Sequence, residues 1–137
     1  MLPQVDADRI GYLGWSLGAR LGAVVAAAEP RLRALVLVSA GAQPLSAFVA
    51  QALANARQRV RTVLGSVDPL RYIALAKSGS LLLEDGRRDE VVPHAALVNV
   101  VHAAPASTAV RWYDAPHALN RQAYQDAFDW LANKLPI

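Results

Sequence analysis

The sequence predicts an α/β protein with about four parallel strands flanked by helices. Three observations predict this class: strand-like and helix-like segments alternate, the second strand is a continuous apolar run, and the connections are short. Such a run is typical of a strand covered on both faces in a parallel sheet, and helical crossovers make successive strands parallel. With 137 residues, the chain is expected to form one domain over residues 1–137.

The first half of the chain begins with a strand, a helix and a second strand. Strands are predicted over residues 9–13 and over residues 34–40, which read Ala-Leu-Val-Leu-Val-Ser-Ala. Residues 17–28 between them are rich in alanine and other small residues, which predicts a helix that ends before Pro30. These segments form the first unit of the predicted parallel sheet.

A helical segment is predicted over residues 42–80, between the second and third strands. Within it, apolar residues at helical spacing predict one long helix over residues 45–64. A shorter helix is predicted over residues 69–77, after the Gly-Ser pair at 65–66.

The second half repeats the alternation of strands and helices. A third strand is predicted over residues 81–83 and a fourth over residues 108–113. The helix between them covers residues 91–104 and ends before Pro105, and a final amphipathic helix covers residues 118–135.

The composition excludes several classes of protein. Charged residues make up 18% of the chain and apolar residues 54%, which excludes intrinsic disorder. The chain has no cysteine, so disulfides, thiolate metal sites and a cysteine nucleophile are excluded. The three histidines lack ligand spacing, and no phosphate-binding or dinucleotide motif is present, so we expect no metal and no cofactor.

The predicted partners and location follow from charge and hydropathy. The net charge is +3, but the densest basic run, residues 57–61, has no interleaved aromatic residues and is interpreted as a solvated helix face. We therefore expect no nucleic-acid partner. No apolar run reaches the roughly 20 residues of a membrane span, and residues 1–8 lack a signal-peptide pattern. A cytoplasmic protein without a membrane partner is expected, and arginine in preference to lysine, with abundant alanine, is typical of a GC-rich bacterial genome.

A Gly-Trp-Ser-Leu-Gly motif at residues 14–18 lies directly between the first strand and the first helix. A sharp turn here would hold Ser16 in a strained conformation that exposes its hydroxyl, with Gly14 and Gly18 avoiding Cβ clashes. The helix N-terminus would then present N–H groups to a developing oxyanion. The alternative is a glycine-rich turn in which Ser16 is only a helix N-cap.

A serine nucleophile needs a base, and the base needs an acid that orients it. Asp89 follows the third strand and His117 follows the fourth. Because the carboxyl ends of parallel strands share one edge of the sheet, Ser16, Asp89 and His117 are predicted to converge. Asp85 and, more remotely, Asp114 are the alternative acids.

The other ionisable residues near these motifs have plainer interpretations. Glu84 and Asp85 are expected to be solvated residues at the end of a strand. His94 and His102 lie eight residues apart on a predicted helix and are interpreted as surface or partly packed histidines. An ordinary loop histidine remains the alternative for His117.

Three ordered segments resemble the α/β-hydrolases, in particular the dienelactone-hydrolase-like and related esterase branches. Residues 5–20 resemble the nucleophile elbow, residues 86–93 (Gly-Arg-Arg-Asp-Glu-Val-Val-Pro) the acid loop, and residues 112–117 (Trp-Tyr-Asp-Ala-Pro-His) the histidine loop. The resemblance implies a serine hydrolase of esters or related acyl bonds, with a small acyl compound as substrate. In it, Ser16 is the nucleophile, His117 the general base, Asp89 the orienting acid, and the Leu17 N–H an oxyanion donor. Dienelactone hydrolase itself uses cysteine where this chain has Ser16, so its substrate is not implied.

The resemblance also implies a partial α/β-hydrolase fold, in which residues 42–80 take the place of the family's cap and form a small cap-like segment. In the family the elbow follows the fifth of about eight strands, so the four predicted strands correspond to the fifth to eighth, and the N-terminal half of the fold is absent. A loop after the family's third strand supplies a second oxyanion donor, and loss of such a donor lowers kcat by about 10²–10³-fold. The isolated chain is therefore expected to be weakly active or inactive.

The strand at residues 9–13 would have an open edge, which a homodimer or a missing-half partner would cover. A truncated reading frame or one half of a split enzyme would account for this arrangement. The alternative to an enzyme is a non-catalytic hydrolase-like domain, either an interaction element or a remnant.

Trp15 is a candidate substrate-binding residue because it adjoins the predicted nucleophile. Together with Phe48, Val49 and Leu53 it could line an apolar acyl pocket. The plainer interpretation of the latter three is that they are core contacts of their helix.

Overall fold

The computed structural model describes residues 6–136, and its four strands form one parallel sheet in the order β1-β2-β3-β4. Residues 1–5, on which the signal-peptide argument partly depends, lie outside the described residues. The predicted α/β class is confirmed. In chain order the elements are β1 (Ile10–Trp15), α1 (Leu17–Ala28), β2 (Leu32–Val38), α2 (Leu45–Gln51), α3 (Arg57–Gly65), α4 (Pro69–Ile73), β3 (Leu81–Gly86), α5 (His94–Ala103), β4 (Ala109–Tyr113) and α6 (Arg121–Lys134).

The two faces of the sheet have separate cores because alternate residues of each strand point to opposite faces. On one face, Leu35, Leu37 and Leu83 pack with buried residues of α1, α4 and α5. On the other face, Val36 and Leu82 pack against α6. The two central strands are therefore covered on both sides, as their continuous apolar sequence predicts.

Helix α1 packs directly on β1 because its residues are small. A Cβ at Gly22 would overlap the Tyr12 ring and would lie 2.6 Å from Leu37 Cδ2. The Tyr12 hydroxyl donates a hydrogen bond of 2.7 Å to the carbonyl oxygen of Gly18. This close packing fixes the turn at Ser16 between the strand and the helix.

The single long helix predicted over residues 45–64 is wrong. The structure instead has α2 and α3, separated by a turn in which the Ala56 N–H donates to the Leu53 carbonyl oxygen. A continuous helix would separate residues 45 and 65 by about 30 Å. In the structure a Cβ at Gly65 would lie 3.4 Å from Leu45 Cδ2, so α3 folds back along α2. The helical periodicity continues through the turn, which is why the sequence pattern did not reveal it.

Several element boundaries also differ from the prediction. The third strand is twice as long as predicted and includes Glu84 and Asp85, and α4 ends at Ile73 rather than at residue 77. Helices α5 and α6 each begin three residues later than predicted. The residues that precede them remain in loops, and these loops carry Asp89 and His117.

The longest helix in the described part of the chain, α6, has 14 residues. None of the described helices combines the length and the apolar character that crossing a membrane requires.

Candidate active site

Ser16 occupies a strained turn at the junction of β1 and α1. Its φ of 54° and ψ of −114° are unfavourable for a residue with a side chain. The turn is held by a hydrogen bond of 2.8 Å from the Ser16 N–H to the Val38 carbonyl and by the first turn of α1. The Ser16 side chain makes no capping hydrogen bond, so it is not merely a helix N-cap.

The two glycines of the motif differ in their steric roles. A Cβ at Gly14 would lie 2.6 Å from the Gly18 carbonyl oxygen and 2.7 Å from Tyr12 Cε1, so a side chain there is excluded. A Cβ at Gly18 would meet no atom within 4 Å. The expectation that both glycines relieve Cβ clashes is therefore wrong for Gly18.

The structure brings together three side chains from the ends of three strands. His117 Nε2 lies 3.0 Å from Ser16 Oγ, and His117 Nδ1 lies 2.7 Å from Asp89 Oδ2. The Asp89 side chain is only 1% exposed and that of His117 is 9% exposed. The alignment of hydroxyl, imidazole and carboxylate is one in which a proton can pass from the serine to the ring.

The environment of Asp89 favours its ionised form. Burial raises its pKa, but hydrogen bonds from the Val92 N–H, the His117 ring and the Val91 N–H outweigh burial and leave the pKa below its ordinary value. The Asp89 Oδ1 atom accepts from both backbone N–H groups, at 2.8 and 2.9 Å. A carboxylate beside Nδ1 favours the tautomer in which Nδ1 carries the proton, so Nε2 can accept the proton of Ser16.

The loop that carries His117 is held by two donors that share its backbone carbonyl oxygen. Trp15 Nε1 donates to this oxygen at 3.1 Å and Ser39 Oγ donates at 3.0 Å. Ser39 follows β2, is completely buried, and has a φ of 52°. In the described chain the non-glycine residues with positive φ are Ser16, Ser39 and Leu119, all near this site. Such strain is concentrated at functional sites in many proteins.

Trp15 contacts the histidine loop rather than the cavity beside Ser16. Its ring centroid lies 5.2 Å from that of His117, and its indole N–H is engaged by the His117 carbonyl. It does not line the cavity described below. Ser39 was not among the predicted site residues, and the available signal for it was a lone hydroxyl in the apolar run 34–40.

Glu84 and Asp85 are buried, contrary to the expectation that they are solvated. Glu84 is 0% exposed and Asp85 is 3% exposed. Burial raises the pKa of each to about 7, and the nearby charge of Asp89 raises that of Asp85 further. The Tyr113 hydroxyl lies 2.8 Å from Glu84 Oε1. Among the residues that the structure describes, one oxygen of each carboxyl, Glu84 Oε2 and Asp85 Oδ1, has no hydrogen-bond partner.

The remaining candidates lie away from Ser16. The alternative acid Asp114 forms an exposed ion pair with Arg88, and Asp85 is not the carboxylate that contacts His117. His94 and His102 are exposed on α5, and the His94 ring packs 5.0 Å from that of Trp112. Within residues 6–136 no group of three potential metal ligands is present.

A cavity of about 330 Å³ opens beside Ser16. Leu17 begins α1, and the N–H groups of the first turn of a helix have no partner inside the helix. Of the three apolar residues expected near Trp15, Phe48 lines this cavity, Val49 is buried, and Leu53 is 76% exposed. The cavity is lined by Ser16, Leu17, Arg20, Ser39, Gly41, Ala42, Gln43, Phe48, Val91, Val92, Pro93 and Ala96.

No protein-family model and no curated protein sequence matches the chain. Solved structures do. Acetyl xylan esterase 1 from Thermoanaerobacterium sp. aligns over 96% of this chain and 47% of its own length, with a TM-score of 0.71 and 22% identity. The 2,6-dihydroxy-pseudo-oxynicotine hydrolase aligns over 98% of this chain and 42% of its own length, with a TM-score of 0.69 and 24% identity. An esterase from Pyrococcus furiosus aligns over 93% of this chain and 54% of its own length, with a TM-score of 0.59 and 20% identity.

The TM-scores show a likeness of fold, and at identities below 25% they show the fold alone. The chain has part of the α/β-hydrolase fold, as its motifs implied. It spans about half the length of the structures that it matches.

Proposed function

We propose that this chain carries the nucleophile of a serine hydrolase that cleaves carboxylic esters or related acyl bonds. The observation that carries the proposal is the contact of Ser16 Oγ with His117 Nε2 at 3.0 Å, with Asp89 at 2.7 Å from the other ring nitrogen. The strained turn at Ser16 and the hydrolase-like fold support it.

In the first half of the reaction, Ser16 Oγ attacks the carbonyl carbon while its proton moves to His117 Nε2. The ionised Asp89 stabilises the resulting imidazolium. The carbonyl oxygen becomes an oxyanion, which the Leu17 N–H and the N-terminus of α1 stabilise. When the tetrahedral intermediate collapses, the alcohol leaves with the proton from His117, and the acyl group remains on Ser16.

In the second half, water replaces the alcohol. His117 accepts a proton from the water as its oxygen attacks the acyl carbon. Collapse of this second intermediate breaks the bond to Ser16 Oγ, which regains its proton from His117. The products are a carboxylic acid and free enzyme, so no cofactor is needed.

We propose that the chain alone turns over esters slowly. In the family a second oxyanion donor comes from a loop that precedes the elbow strand, and this chain spans about half of its structural neighbours. A site in which the Leu17 N–H is the only named oxyanion donor is expected to have a kcat about 10²–10³-fold lower than a site with both donors.

The test is labelling by a fluorophosphonate probe, followed by p-nitrophenyl acetate hydrolysis. We expect the probe to label wild type at Ser16, and both labelling and hydrolysis to be lost in Ser16→Ala. Ser66→Ala, an exposed serine at the end of α3, is the matched control and should keep both. A protein that is folded by circular dichroism but is not labelled would contradict the proposal.

A second candidate function is that of a hydrolase-like domain that acts with a partner or is not catalytic. Within residues 6–136, β1 is hydrogen-bonded only to β2. Leu13 and Trp15 on this strand are 39% and 48% exposed. We propose that a second copy of the chain, or a polypeptide carrying the other strands of the fold, covers this edge.

A further inference from the structure

The cavity beside Ser16 continues into a second cavity of about 270 Å³. The second cavity extends between α1 and the segment 42–69, as far as Leu64 and Val67. We call the two together the α1 groove. The residues that line both parts are Leu17, Arg20, Ala42, Gln43 and Phe48.

The walls of the α1 groove are apolar although they are open to solvent. Leu17 is 65% exposed, Leu21 56% and Val67 52%. Exposed apolar surface of this kind gains free energy when an apolar ligand covers it. The groove therefore fits an apolar ligand better than a polar one.

The charged side chains that line the α1 groove, Arg20 and Asp68, do not oppose this interpretation. Asp68 Oδ1 already accepts the Leu70 N–H as the N-cap of α4. Arg20 is exposed, so its methylene stem can lie along the groove while its guanidinium stays in water.

The length of the groove matches a medium-length chain. Leu17, Leu21 and Val24 line it from one face of α1. Seven residues of helix separate the first from the last, which is about 10 Å along the axis. This distance suits an extended acyl group such as octanoyl.

The position of His117 indicates which half of an ester would occupy the groove. The leaving alcohol must face His117 to collect its proton, and the described residues of the histidine loop, 114–120, line neither cavity. The acyl chain stays bonded to Ser16 and therefore lies on the other side, in the groove along α1.

We infer that the α1 groove binds the acyl chain of the substrate, so that the protein prefers esters of medium-chain fatty acids to acetate or butyrate esters. This inference rests on the proposed function, because the acyl carbon must lie at Ser16 Oγ. Each fully buried methylene contributes up to about 4-fold to binding. The ratio of kcat/KM for p-nitrophenyl octanoate to that for the butyrate ester is therefore expected to be about 10 to 100.

Variants of the groove test the inference. Leu21→Trp, which would fill the groove, and Val67→Ser should each lower the octanoate-to-butyrate ratio by about 5-fold or more. Leu75→Ser is the control: Leu75 is 64% exposed and lines neither cavity, so the ratio should not change. Labelling rates with ethyl and octyl fluorophosphonates give a second readout that does not require turnover.

The outcomes separate this inference from the proposed function. If Ser16 is labelled by the ethyl probe and no faster by the octyl probe, or if the ratio is unchanged in Leu21→Trp, the inference is wrong and the proposed function stands. If neither probe labels the folded protein, the proposed function fails and this inference fails with it. A higher octyl labelling rate that depends on Leu21 supports both.

Discussion

Ser39 holds the histidine loop without taking part in the chain of contacts from Ser16 to Asp89. Its hydroxyl donates to the His117 carbonyl at 3.0 Å, and its positive φ is maintained although serine is unfavourable there. Its place at the end of β2 connects the central strand to the loop that carries His117. A buried and strained serine of this kind is more easily explained by loop positioning than by packing.

Ser39→Ala is expected to lower kcat by about 3- to 10-fold with little change in KM, since it removes one hydroxyl from the lining of the α1 groove and none of its apolar side chains. It should also lower the free energy of unfolding by about 1 kcal/mol, because one buried hydrogen bond is lost. Ester hydrolysis and urea denaturation measure the two effects. A variant with wild-type kcat would show that Trp15 alone suffices to hold the loop.

Glu84 and Asp85 make stability depend on pH in the direction opposite to that of most carboxylates. In the folded state their pKa values are raised to about 7, above their unfolded values near 4. Between these values the unfolded chain releases protons that the folded chain keeps. The two groups therefore destabilise the fold progressively as the pH rises from about 4 to about 7.

Glu84→Gln and Asp85→Asn should remove this dependence. Relative to wild type, each variant is expected to gain about 1–3 kcal/mol in unfolding free energy between pH 4 and pH 8. Urea denaturation of wild type and both variants across this range measures the difference in unfolding free energy. Asp89, whose lowered pKa makes stability depend on pH in the opposite direction, is present in all three proteins, so its contribution cancels in that difference. A variant-minus-wild-type difference that does not change with pH would contradict the raised pKa values of these buried carboxyls.

The sequence predicts the individual residues of the site unevenly. Ser16, Asp89 and His117 follow strands at points marked by local motifs, so their meeting at one edge can be predicted from the order of the elements. The burial of Glu84 and Asp85 cannot, because it depends on β3 continuing three residues past its apolar run between two covering layers. The role of Ser39 depends on a contact between residues 78 positions apart.

At the scale of elements, the turn from β1 to α1 depends on one of its two glycines. Gly14→Ala would place a Cβ 2.6 Å from the Gly18 carbonyl oxygen, and backbone cannot move aside as a flexible side chain can. We expect a loss of about 1–3 kcal/mol in unfolding free energy, typical of overpacking. Probe labelling of Ser16 should fall in parallel, because the turn that presents its hydroxyl is displaced.

Gly18→Ala is the matched comparison on the same turn. A Cβ there meets no atom within 4 Å, and alanine is favoured over glycine in a helix by about 1 kcal/mol. This variant is expected to be as stable as wild type or more stable, with labelling retained. If Gly14→Ala and Gly18→Ala lower stability and labelling equally, the turn requires glycine at both positions, and the close contact at Gly14 does not explain the requirement.

The helix boundaries show why the sequence predicts elements better than it predicts their ends. Alanine-rich composition predicted α1 and an amphipathic pattern predicted α6, but apolar periodicity also continues through the turn between α2 and α3. Likewise the residues before α5 have helix-like composition, yet the Val91 and Val92 N–H groups bind Asp89 instead of joining the helix. Local hydrogen bonds that compete with the helix therefore set these boundaries, and apolar periodicity does not reveal them.

For the described part of the molecule as a whole, the sheet has a well-covered centre, and β1 is one of its two edge strands. Helix α6 packs on the face formed by β2 and β3 and reaches β1 near Gly11, where a Cβ would lie 3.2 Å from Leu131 Cδ2. Beyond this point Leu13 and Trp15 stay exposed on a strand that, within residues 6–136, has one neighbour. The resemblance to the α/β-hydrolases implied this open edge, but the sequence contains no signal for what lies against it.

Of the two proposed coverings of β1, a second copy of the chain is the one that can be tested with this chain alone. An edge strand presents unpaired N–H and C=O groups, and a charged residue on it opposes pairing with another strand. We therefore expect the mass measured by light scattering to rise with protein concentration, and Leu13→Lys to suppress that rise. Leu75→Lys, which places the same charge on an exposed apolar residue of the α4–β3 connection, should not suppress it.

A monomer at every concentration would exclude the second copy as the covering of β1. In that case a polypeptide that carries the remaining strands, added in trans, should bind wild type more tightly than it binds Leu13→Lys. Its binding should also raise the rate of ester hydrolysis.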